Sequence, residues 1–485
     1  MFHRTYLRVA AASLALLALT SCNSAPDTSN PAIEDNDKAL GAEQHPQLLA
    51  EFGGAYPGPQ SAYVAQLGDG LAQKAGLGGQ CQFTLVNSDV VNAFAVPGCY
   101  IYVTRGLLSI VNSEAELASV MSHELGHILA NHSGRQQNRS LIGQLSVFAI
   151  ALITGSDRLT QMAGKAATFF TLRYSRSQEY EADDLGLKTM IAAGYDPYEE
   201  AEMLSALSRQ ERFLALTRGS DPARSMPEWA RTHPLTDNRI KRAVRAAEAT
   251  GDSNGTDKEF ADRYLSALDG MLFGDDPEQG FVIGRRFAHP IMRIGFEAPE
   301  GFTLTNSPQA ILLEGPDGIR GEFGGGAARG LSLASYVEAL IAQIVKQSPA
   351  KVGPARAGVV NGIETIVVPV SVTAQQGTAE LRIAAYAGAD GAVYHFIIAQ
   401  GSKPAPQALD ALFASFHLLD DAQVRTLRAR VIDVSTAASG ATVESEARTM
   451  ASDNRVAQFL MLNALEPGQP LDPGQRVKLI RYVAE

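Results

Sequence analysis

"SVMSHELGHILANH", residues 119–132, sets two histidines four positions apart with a glutamate directly after the first. Four positions are about one helical turn, so on a helix His123 and His127 point the same way. Ser113 followed by Glu116 reads as a capping box that starts this helix at 114. Leu117, Val120, Met121, Leu125, Ile128 and Leu129 give it a broad apolar face. Two imidazoles at that spacing can share a tetrahedral zinc ion, with Glu124 in reach of a water on it. Zinc lowers that water's pKa to about 7, which suits a glutamate base and attack on a peptide carbonyl. The competing reading is a polar stripe on a core helix, so the rest of the chain must supply a third ligand. His132, five residues past His127, falls about 140° round a continuous helix and is expected not to be one.

"YSRSQEYEADDLG" (174–186) carries a second helical pattern. Glu179 and Asp183 lie four apart and share a face, whereas Glu181 points away. Glu179 is the expected third ligand. Asp183, one turn on, is placed to accept a hydrogen bond from a ligand imidazole and fix its tautomer. A solvated acidic face would explain the charges but not the small Ala182 among them.

The chain has 485 residues, 45% hydrophobic and 19% charged, which predicts two or three globular domains. A formal charge of -11 argues against a nucleic-acid partner. His3, Arg4 and Arg8 followed by "VAAASLALLALT" have the layout of a signal peptide over residues 1–21. Leu19-Thr20-Ser21-Cys22 resembles a bacterial lipobox, which implies lipidation at Cys22 and a membrane anchor. Asn23 then implies an outer-membrane address. Residues 22–45 are polar and read as a flexible tether. Residues 46–250 are mostly helical, broken by "CQFTLV" and "CYIYVTRG". Cys81 shares parity with Phe83 and Leu85, and Cys99 with Ile101 and Val103, so both thiols face the apolar side. If those strands are neighbours the sulfurs can meet; two buried free thiols are the alternative.

"TGDSNGTDKE" (250–259) opens a linker-and-helix stretch over 251–279. Alternating runs over 280–420 predict an α+β unit with an antiparallel sheet. Residues 421–485 read strand, helix, helix, strand and resemble a degenerate LysM module, which would imply peptidoglycan binding. Gly440-Ala441-Thr442 departs from the usual Gly-Asp-Thr opening. The apolar run 141–153 has 13 residues, too short to span a bilayer, so a helical hairpin packed on the domain is expected.

HELGH (123–127), ExEAD (179–183), "NAFAVPGCYIYVTRGL" (92–107) and "HPLTDNR" (233–239) together resemble the gluzincin family that contains HtpX, BepA and the CAAX prenyl proteases. The resemblance covers residues 80–245. It implies a mainly α metalloprotease domain with a small β-sheet, one zinc ion on His123, His127 and Glu179, Glu124 as base and Asp183 behind the ligands. It further implies that His233 can approach the metal as an inhibitory ligand and that Arg239 polarises the scissile carbonyl. The same resemblance makes 93–103 an edge strand for polypeptide substrates, with Asn92, Ala93, Phe94, Ala95, Tyr100 and Tyr102 along it. The expected substrates are unfolded or misassembled envelope proteins.

Overall fold

The alternating stretch 82–104 folds as a three-stranded sheet in the computed structural model, which describes residues 33–133, 174–218, 228–234, 237–251, 258–345, 348–374 and 377–483. Residues 1–21, Cys22 and the 141–153 run lie outside the described residues. Strands β1 (Gln82–Val86), β2 (Ala93–Val96) and β3 (Tyr100–Thr104) stand in the order β1-β3-β2, with β3 parallel to β1 and antiparallel to β2. Only β2 is therefore an edge at the 93–103 segment. Tyr100 and Tyr102 sit on the central strand, a correction to the expected cradle, because the turn at 97–99 folds β3 back between the other two. Cys81 and Cys99 directly precede the parallel pair and form a disulfide, with Cα atoms 4.6 Å apart.

The expected tether is shorter than its composition suggests. Helix α1 (Asp35–Glu51) already begins at residue 35. Its exposed residues are polar or small, but Leu48 and the following Phe52 are buried with Val86, Val96 and Tyr102 on the outer face of the sheet. Gly41 permits the approach, since a Cβ there would lie 2.2 Å from the Pro97 carbonyl oxygen. Tertiary packing thus stabilises a helix that local hydrophobicity does not announce.

On the other face lie α2 (Gln60–Lys74), α3 (Arg105–Ile110) and α4 (Glu114–Leu129). Every residue of α4 from Glu114 to His127 is buried, so this helix is the centre of the domain. Its N-cap departs from a reciprocal box. Ser113 Oγ accepts from Glu116 N–H, but the Glu116 carboxylate accepts from Asn112 N–H instead. Against α4 pack α5 (Arg176–Ala193) and α6 (Glu199–Arg218); α7 (Glu228–Thr232) sets Trp229 beside His123, α8 (Asp237–Ala249) packs on α6, and α9 (Ala261–Leu268) also meets α4. Ser175 and Gln178 form a full capping box at the start of α5, and left-handed Gly194 ends it.

Residues 281–418 form an all-antiparallel unit in which an eight-stranded sheet carries helices Leu333–Val345 and Pro406–Ala414. It has apolar cores of its own. The last unit has the expected βααβ order, with strands Arg430–Thr436 and Arg476–Tyr482 around two short helices. It does not stand apart from the N-terminal region. Arg430 and Val431 pair with Phe273 and Leu272 of β4 (Leu272–Phe273), so the antiparallel unit is an excursion between two adjacent strands. One continuous core then runs from Val64 to Ile480.

Lys478 fastens this joint. It is fully buried and its ammonium donates to the carbonyls of Ser109 and Val111, at 2.9 and 2.7 Å. Burial pushes its pKa down, while the nearby Glu116 carboxylate pulls it back up. Lys478→Ala would leave two buried carbonyls without their donor and the buried Glu116 carboxylate with Arg209 as its remaining nearby cation, which costs about 3 kcal/mol. Chemical denaturation of the intact chain is expected to show that loss in the transition of the N-terminal region. A change below about 0.5 kcal/mol, the level of a surface substitution, would mean that the last unit is merely docked.

Candidate metal centre

Close approach of two helices creates the site. At Gly126 of α4 a Cβ would lie 2.5 Å from the Ala182 carbonyl oxygen, and at Gly186 of α5 it would lie 3.0 Å from the His123 backbone nitrogen. Ala182 itself is fully buried. These small residues let α4 and α5 touch along their backbones, and that brings their short polar side chains face to face.

The convergence is tight. His123 Nε2 and His127 Nε2 lie 3.0 Å apart, and each is 3.7 Å from a Glu179 carboxylate oxygen. A tetrahedral ion with bonds of about 2.0–2.1 Å sets its ligand atoms roughly 3.3 Å apart. Ligand atoms of His123, His127, Glu179 and His233 all lie within 4.8 Å of one another, and all four residues are buried. Glu179 Oε1, Glu124 Oε1 and His233 Nε2 are buried with no hydrogen-bond partner among the described residues. A cation is the group that would satisfy such a set of lone pairs.

The protonation states suit one. Burial and the neighbouring histidines push His127 and His233 well below the ordinary imidazole range, so both are neutral donors of a lone pair. Burial likewise lowers His123, against the pull of Asp183. His123 Nδ1 donates to Asp183 Oδ1 at 2.9 Å, which leaves Nε2 bare toward Glu179. Burial alone would raise Asp183, but His123 and Arg239 hold its carboxyl well below the usual carboxylate range. Glu124 is raised by burial to about 8, although the Trp229 side chain, the Ala95 backbone and the Arg239 cation nearby all favour its ionised form. Helix α4 packs against edge strand β2, with Glu124 near the Ala95 backbone.

His233 is the fourth member. Thr232 Oγ1 donates to the Trp229 carbonyl and accepts from His233 Nδ1 at 2.9 Å, so His233 Nε2 carries the lone pair. The ring stacks on Trp229 at 4.6 Å between centroids, and Nε2 lies 3.7 Å from Glu124 Oε1.

Arg239 is placed differently from expectation. It is 3% exposed, with Nη1 2.8 Å from Glu179 Oε2 and Nη2 2.6 Å from Asp183 Oδ1. A guanidinium held by two carboxylates is not free to polarise a substrate carbonyl, so Arg239 orients Glu179 and Asp183 instead. His132 is outside the group of converging ligand atoms, yet its Nδ1 lies 2.8 Å from His127 Nδ1. The helix ends before it, at Leu129, and Asn131 is left-handed at φ 48°. The 100° step no longer applies there, and the Asn at 131 was the available signal.

Residues 59–247 match the sequence model of Peptidase family M48. A beta-barrel assembly-enhancing protease of Yersinia pestis is 30% identical over 223 residues, 44% of this chain and 44% of that protein. The mitochondrial metalloendopeptidase OMA1 of Arabidopsis thaliana is 32% identical over 162 residues, covering 33% of this chain and 30% of its own. The beta-barrel assembly-enhancing protease of Escherichia coli K12 is 30% identical over 174 residues, 34% of each chain. The chain thus spans less than half the length of these relatives.

The helix contact gives a test in which two effects have opposite signs. In an open helix Gly→Ala stabilises by about 1 kcal/mol. At Gly126 the new methyl meets a backbone oxygen that no side chain can move aside, an overpacking cost of about 1–3 kcal/mol. Gly126→Ala is therefore expected to lower thermal stability and weaken metal binding together. A rise in melting temperature would show that α4 and α5 have room between them.

Proposed function

Residues 59–247 are a domain of Peptidase family M48, and on that premise we propose that the protein is a zinc-dependent metalloendopeptidase of the bacterial cell envelope. The observation that carries this reading is the convergence of His123, His127 and Glu179 beside the buried Glu124. A zinc ion on those three side chains would supply Lewis acidity, activating a water and polarising the scissile carbonyl. Glu124 takes the proton of the attacking water and returns it to the leaving amine. The Ala95 backbone of β2 lies near that carboxylate, and at this edge an extended polypeptide can add as a further strand. Asp183 and Arg239 hold the ligands in place and touch no substrate.

The substrates proposed are unfolded or misassembled envelope proteins, which present extended backbone to a sheet edge. Lipidation at Cys22 would tether the enzyme to the outer membrane; among the described residues no helix is long and apolar enough to cross a bilayer. The βααβ unit keeps a LysM-like order, so peptidoglycan is a further proposed contact. His233 supports a latent resting state. Catalytic zinc sites keep one position open, and a fourth protein ligand would close it.

Metal analysis and casein cleavage test the chemistry. Glu124→Gln is expected to retain about one zinc per chain and to lose hydrolysis by ~100-fold or more. Wild-type turnover by Glu124→Gln would overturn the mechanism. His233→Ala is expected to keep zinc and raise basal proteolysis, because it frees the fourth position. Unchanged or lower activity in a folded His233→Ala protein would rule out the latch.

A further inference from the structure

The two histidine ligands are supported differently. His123 meets the Asp183 carboxylate directly. His127 Nδ1 instead meets His132 Nδ1 at 2.8 Å, and His132 Nε2 lies 3.1 Å from Glu181 Oε2. His132 is fully buried, its ring 4.8 Å from that of His127, while the Glu181 side chain is 37% exposed. Helix α5 thus reaches the site on two sides, through Glu179 and Asp183 in front and Glu181 from the flank.

Proton counting leaves one arrangement when Glu181 is ionised and both rings are neutral. A carboxylate only accepts, so His132 Nε2 must carry the proton that faces it. His132 Nδ1 is then a bare lone pair and must accept. His127 Nδ1 is the donor into it, which leaves His127 Nε2 unprotonated on the side of Glu179 and His123. Every hydrogen bond in the chain depends on the one before it.

We infer that His132 and Glu181 form a relay that sets the tautomer and ring orientation of His127, making them positioning residues for metal binding. The inference rests on His127 being a metal ligand, as proposed above. It also gives a role to the left-handed Asn131, which breaks the α4 spacing directly before His132. Asn131 N–H still bonds the Ile128 carbonyl at 2.9 Å, so the departure from α-helical spacing begins within the last turn.

Zinc affinity of the full chain, measured by competition with a chromophoric chelator, tests the relay without using activity. Partners of this kind are worth about 10–100-fold in metal affinity. His132→Ala is expected to weaken zinc by that factor. His132→Asn keeps an acceptor at the position of Nδ1 and should recover most of the loss. Glu181→Leu, at a half-exposed position that tolerates change, should weaken zinc less than His132→Ala and shift the visible spectrum of the cobalt-substituted protein. Melting of the zinc-free proteins separates packing from positioning: a packing role lowers stability in His132→Ala and His132→Asn alike. Wild-type zinc affinity and an unchanged cobalt spectrum in folded His132→Ala or Glu181→Leu would overturn the relay alone. Failure of the wild-type chain to hold stoichiometric zinc would overturn the metal reading, and the relay with it.

Discussion

Imidazole and carboxylate side chains are short, so two helices can serve one ion only if their backbones nearly touch. Gly126, Ala182 and Gly186 make that contact possible between α4 and α5. Their job is geometric, and it explains why small residues stand inside two strongly polar motifs. A normal interhelical spacing of 8–10 Å, filled by larger side chains, would hold the facing polar groups apart. From this one contact follow the 3.7 Å approach of Glu179 to both ligand nitrogens and the 2.9 Å bond from His123 to Asp183.

The same closeness creates an electrostatic problem. Glu124, Glu179 and Asp183 are almost fully buried within one small volume. Burying unpaired carboxylates is costly, and among these residues only Arg239 supplies a fixed positive charge. It engages Glu179 and Asp183, the two carboxylates of α5. Glu124 is left to burial, which raises it to about 8. A dication between the helices would satisfy the lone pairs of Glu179 and both ligand histidines and draw Glu124 back toward its ionised form. The site is therefore complementary to a metal in charge as well as in shape.

Much of this was legible in the sequence, because spacing along a helix is reliable while the helix lasts. His123 with His127, and Glu179 with Asp183, each met the one-turn rule inside a well-capped segment. For His132 the rule gave no sign of the contact with His127, because the helix stops at Leu129 and a left-handed residue follows. Arg239 could be located by motif, but not its partners, since no local pattern says that a guanidinium will face two carboxylates on another helix. At the larger scale, sequence order suggested three units in a row. The buried Lys478 and the pairing of β4 with strand Arg430–Thr436 join the last to the first. A lysine reads as surface in any hydropathy pattern, so long-range burial of this kind leaves no local trace. Helix α1 escaped for a related reason: its few apolar residues suffice only because a sheet face is waiting for them.

The most direct test of a metal centre shared by two helices is anomalous X-ray scattering at the zinc edge, from crystals of protein purified without added metal. One peak per chain is expected, within bonding distance of His123 Nε2, His127 Nε2 and a Glu179 carboxylate oxygen. A peak held by other residues, or a site without metal in protein that is folded and was never exposed to chelator, would contradict it.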